Sequence, residues 1–92
     1  MIRKIVWNQI PESLGDVAEA DFVDAFENKI RVDPRLRECE IEVTFVQQLH
    51  SGIDSVTADS TDEEMEALYR GAGTLQDALD QMAQRAWEHC SA

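Results

Sequence analysis

Residues 38 to 46, ECEIEVTFV, alternate almost perfectly between polar and apolar. Cys39, Ile41, Val43 and Phe45 fall on one side, and Glu38, Glu40 and Glu42 on the other. Successive side chains of a strand point to opposite faces. The pattern therefore predicts a strand with one buried face and three carboxylates on the second. An earlier run, IRKIVWNQI, is rich in β-branched and aromatic residues and ends at Pro11, which suits a first strand.

Between these runs the period changes. Ser13 followed by Asp16 reads as a helix start with acids in its first turn. Phe22, Val23, Phe26 and Ile30 then lie at offsets 0, 1, 4 and 8, a single helical stripe. The helix is expected to end near Arg31, because Pro34 pushes Asp33 out of helical geometry. VDPRL is the turn into the second strand.

After that strand, QQLHSGIDSVTADST is polar and turn-rich. Ser51-Gly52 can close a hairpin with residues 53–57 as a short third strand, and a plain loop fits nearly as well. Ser60 with Glu63 forms a capping-box pattern and opens a helix whose apolar edge is Met65, Leu68 and Tyr69. GAG at 71–73 breaks it, and Thr74 can cap the next. In that last helix Leu75, Ala78, Leu79, Met82, Ala83, Ala86 and Trp87 sit at offsets 0, 3, 4, 7, 8, 11 and 12. Gln76, Asp77, Asp80, Gln84 and Glu88 hold the opposite face, so the stripe must pack on something.

The order β-α-β-(β)-α-α predicts a single acidic α+β domain over residues 1–92. Its small two- or three-stranded sheet carries about three helices packed on one face. The link between the two main strands contains a helix and is long enough for a parallel crossover. An antiparallel arrangement with a long connection also fits.

Charge changes this picture more than composition does. The chain has 19 acidic and 8 basic residues, a net charge of −11. Both halves are acidic, −4 over residues 1–50 and −7 over residues 51–92. Such a field repels nucleic acid and anionic membranes and favours a basic partner, a cation or simple solubility. Two cysteines, Cys39 and Cys90, are too few for a disulfide framework, and a reducing cytoplasm is expected. The N-terminus lacks the long apolar stretch and cleavage site of a signal peptide. No run approaches the ~18 apolar residues of a membrane helix.

Catalytic and metal motifs are missing. Neither His50 nor His89 accompanies a nucleophile motif such as G-x-S-x-G, so no catalytic residue is assigned. Cys39, His50, His89 and Cys90 lack the paired spacing of zinc ligands. DSTDEEME at 59–66 lacks the alternating ligands and central glycine of a calcium loop, and the helix dipole accounts for its acids. RGAGT at 70–74 has no P-loop lysine and follows a helix, so a helix stop and a new cap explain it. The cluster Lys29, Arg31, Arg35 and Arg37 lies between acidic blocks and is expected to pair with them. No metal and no cofactor is expected.

What remains is ordered acid. Glu38, Glu40 and Glu42 form one row, Asp62, Glu63 and Glu66 a second, and Asp77 and Asp80 a third. Carboxylates on rigid elements can imitate the phosphates that basic nucleic-acid-binding surfaces recognise. By size and composition, not by motif, the chain is similar to the small acidic decoys that phages and mobile elements direct against host nucleic-acid enzymes. The leading expectation is a non-enzymatic protein-protein interaction module, an inhibitor or decoy that binds the basic surface of a nucleic-acid-handling protein. Those eight acids would be its partner-binding residues. For the strand glutamates taken alone, a solvated face with charged pairs to Lys4 or Arg3 is the simpler expectation, because an amphipathic strand needs only polar residues there. A second expectation is an assembly module, homodimeric through apolar surface, with Trp7, Tyr69 and Trp87 as anchors. A small enzyme or metal-binding protein is the third, with no positive signal.

Overall fold

A computed structural model of the chain describes residues 2–34, 36–58 and 75–91. Three strands, β1 (Ile2–Gln9), β2 (Glu40–Phe45) and β3 (Gly52–Ala58), form a sheet ordered β2-β1-β3. Among the described residues two helices, α1 (Glu19–Arg31) and α2 (Leu75–Ser91), accompany the sheet in an α+β fold, with a short 3₁₀ turn at Pro11–Leu14. The expected helix at 60–70 lies outside the described residues.

The long connection through α1 makes β2 parallel to β1, with Ile5 beside Ile41 and Trp7 beside Val43. The third strand exists, but not as a hairpin partner of β2. It pairs antiparallel with β1 on the opposite edge. Residues 46–51 cross the carboxyl end of β1 to reach that edge. There the Ile10 N–H donates to Ser51 Oγ (3.1 Å), and Val46 N–H to the Gln9 carbonyl (3.0 Å). Gln47 Nε2 donates to the Glu12 carboxylate, which ties the crossing segment to the 3₁₀ turn and lowers the Glu12 pKa.

Two register shifts explain a pattern that strict alternation forbids. Ile2 and Ile5 are three apart, yet both are buried. Arg3 is the extra residue between the pairs Ile2–Ala58 and Lys4–Thr57, so the alternation restarts. Asp54 is likewise extra between Val6–Ser55 and Trp7–Ile53, which turns Ile53 and Val56 to the same side. There the Ile53 N–H donates to Gln76 Oε1 (2.9 Å), joining the start of β3 to α2.

The first helix begins later than Ser13 and Asp16 suggested. Gly15 takes φ 58°, a left-handed conformation that favours glycine, and closes the 3₁₀ turn. The α-helix starts at Glu19, after an extended Ala18 that offers no side-chain cap. Glu19 and Asp21 at its start, with Lys29 and Arg31 at its end, complement the helix dipole. Its end at Arg31 is where Pro34 placed it.

Both helices cover the face of Ile5 and Trp7. Phe22, Phe26 and Ile30 of α1 join Leu79, Ala83 and Ala86 of α2 in one core with those strand residues. Trp7 and Phe26 meet edge-on with centroids 5.5 Å apart. The Cys90 thiol donates to the Asp21 carbonyl (3.4 Å) and the Trp87 indole N–H to the Leu14 carbonyl (3.0 Å), so the end of α2 meets the start of α1.

Candidate functional site

The parallel ladder sets the other face of the sheet. Lys4 lies beside Glu40, Val6 beside Glu42 and Asn8 beside Thr44, while Thr57 and Ser55 flank them from β3. Among the described residues, no helix packs on this face. Glu40 and Glu42 are exposed there, two residues apart on an edge strand, so their Cα atoms are separated by about 6.7 Å. Lys4 Nζ stands 3.9 Å from Glu42 Oε1, the cross-strand pairing that charge alternation allowed. Both partners are substantially exposed, and such pairs typically contribute no more than about 1 kcal/mol.

Glu38 does not belong to that row. Pairing with β1 starts at Glu40, and Glu38 sits in the turn before it, although its alternation continues the strand pattern. The row of three is a strand pair plus an exposed turn glutamate. Cys39, between them, is buried where the chain enters the strand. Burial, with the Glu40 carboxylate adding to it, pushes the Cys39 thiol up, against a backbone hydrogen bond from Ile5.

The helical acids face elsewhere. Asp77 and Asp80 are exposed on α2, across the sheet from Glu40 and Glu42. Asp80 Oδ1 accepts from Gln76 Nε2 (2.9 Å). Asp62, Glu63 and Glu66 lie outside the described residues. The described acids thus fall on two surfaces, one on each side of the sheet.

Sequence reasoning missed the polar centre of the helix side. Gln9, the single buried polar residue among those described, accepts from the Trp7 indole N–H (2.9 Å) and donates to Ser13 Oγ (2.6 Å). Ser13 in turn donates to the Ile10 carbonyl (2.6 Å). A signal was present, because Gln9 shares the inward parity of Ile5 and Trp7. Ser13 serves this network and not a helix cap. Trp7 is wholly buried, which removes it as an interface anchor; Trp87 is half-buried, and Tyr69 lies outside the described residues.

His50 is exposed in the crossing segment, and exposed His89 borders a shallow depression with Asp21, Asp24 and Cys90. Among the described residues no group of three or more His, Cys, Asp or Glu side chains is placed to hold a metal ion. No described helix is long and apolar enough to cross a membrane. No protein-family model, curated protein or solved structure matches the chain.

Proposed function

We propose that this protein is a non-enzymatic interaction module that binds the basic surface of a nucleic-acid-handling protein and competes there with nucleic acid. The observation that carries this reading is the outer sheet face. Glu40 and Glu42 are held by the ladder to β1, exposed, with no described helix over them. The ladder sets the spacing at which the two side chains leave the sheet, so a basic partner meets carboxylates at a defined interval, as it meets successive phosphates. The net charge of −11 adds long-range steering toward such a partner.

The test is affinity capture from cells of the source organism with wild-type protein and with a Glu40→Gln, Glu42→Gln variant. Wild type should retain a basic nucleic-acid-binding protein at low salt, and the variant should retain less. Equal retention by both removes the outer face from the function.

A second reading, homodimer formation, is favoured by one observation. The outer edge of β2 pairs with no described strand, and its Ile41, Val43 and Phe45 are only half-buried. Sedimentation across protein concentration separates the two readings, since edge pairing is concentration-dependent and weakly affected by salt.

A further inference from the structure

A cleft of about 490 Å³ opens between α2 and the carboxyl end of β1. Buried Trp7 and Phe22 line its base, with Gln9 beside them. Asp80, Gln84 and Trp87 reach it from one face of α2. The volume is within the ~300–1,000 Å³ of sites that hold small ligands.

The hydrogen bonds around the cleft decide what it can take. Both indole N–H groups are engaged, Trp7 with Gln9 Oε1 and Trp87 with the Leu14 carbonyl. The Ser13 hydroxyl is committed to the Ile10 carbonyl. The Gln9 and Gln84 amides each commit an N–H, to Ser13 Oγ and Glu88 Oε1. Acceptors are less occupied. Asp80 receives one bond from Gln76, on Oδ1, and a carboxylate offers about four lone-pair sites. Among the described lining residues, none is Lys, Arg or His. Ser51 Oγ accepts the Ile10 N–H and keeps its own hydroxyl proton, and each amide keeps a second N–H. Over the described lining the acceptor sites therefore outnumber the donors, and the one charge, on Asp80, is negative.

We propose that this cleft receives an arginine side chain of the basic partner. A guanidinium is planar, carries five N–H donors and no acceptor, and favours aromatic surfaces. It supplies what the cleft lacks: charge for Asp80, hydrogen bonds for the remaining acceptors and a flat group for Trp87. An ammonium is compact and more strongly hydrated, and an anion would meet the Asp80 carboxylate with no described Lys, Arg or His in the lining to offset it. The assignment rests on the acidic-surface reading above and places the arginine across the sheet from Glu40 and Glu42.

The experiment is a titration of ¹⁵N-labelled protein with acetyl-Gly-Arg-Gly-amide and with the same peptide carrying citrulline, the uncharged isostere of arginine. The arginine peptide should shift the indole N–H resonances of Trp7 and Trp87 and the amides of Asp80 and Gln84. The citrulline peptide should not. Asp80→Asn, at an exposed position, should keep the fold and weaken binding about fivefold, the upper end for an exposed ion pair. Equal response to citrulline, or no effect of Asp80→Asn, overturns the proposal. Shifts at the same resonances on raising protein concentration without peptide would assign the cleft to a second copy of the chain and also overturn it. Shifts confined to Glu40 and Glu42 overturn the cleft and leave the acidic-surface reading standing. No shift while a basic partner is still captured does the same, and no shift with no capture removes both.

Discussion

Gln9 carries the most consequence for its size. Its side-chain carbonyl satisfies the indole N–H of a fully buried tryptophan, and its amide reaches Ser13 beyond the strand. Gln9→Ala would leave the Trp7 N–H without its acceptor, and an unsatisfied buried donor costs about 1–3 kcal/mol. Urea denaturation should show that loss, and a change under half a kcal/mol would mean that water replaces the glutamine. Cys39 offers a second test at this scale. Its thiol pKa is raised above the ordinary 9.0 by burial. A raised pKa contributes stability that is complete below the unfolded value and is lost as pH rises through the folded one. Wild type should therefore lose stability relative to Cys39→Ala as pH climbs past 9, and half-buried Cys90 should be alkylated before Cys39 at neutral pH.

At the scale of elements, α2 is the part most fully legible in the sequence. Its stripe predicts the buried positions, and Leu79, Ala83 and Ala86 are buried. Leu79→Ala should cost about 2–4 kcal/mol in chemical denaturation, because Leu79 is wholly buried among both helices and the sheet. A loss under half a kcal/mol would mean the stripe serves a partner. The β1 run was readable from its β-branched and aromatic residues, β2 from its alternation and the end of α1 from Pro34. The pairing of β3 was not. A six-residue connection can close on β2 or cross β1, and residues 46–51 carry no signal that chooses. The register shifts at Arg3 and Asp54 hid the inward faces of β1 and β3, because one inserted residue inverts the parity that reveals them. Glu38 shows the converse: its alternation extends two residues beyond the ladder that makes alternation meaningful.

For the whole molecule, the sequence made the charge legible but not its distribution. The described acids lie on both sides of a thin sheet, Glu40 and Glu42 on one and Asp77 and Asp80 on the other. A partner gripping both must wrap an edge, whereas one using a single side leaves the other acids to solubility and steering. Neutralising Glu40 and Glu42 should leave folding within about 0.5 kcal/mol of wild type, as exposed charges usually do. The Lys4–Glu42 contact, at 3.9 Å and exposed, sets no larger cost.

The most direct measurement of the central claim is a binding titration of the captured basic partner at two ionic strengths, with wild type and with Glu40→Gln, Glu42→Gln. Affinity should fall steeply with salt for wild type. The variant should bind more weakly at low salt and with a shallower salt dependence, because fewer charges are engaged. Identical affinity and identical salt dependence for the two proteins would contradict the claim that the outer glutamates are the recognition surface.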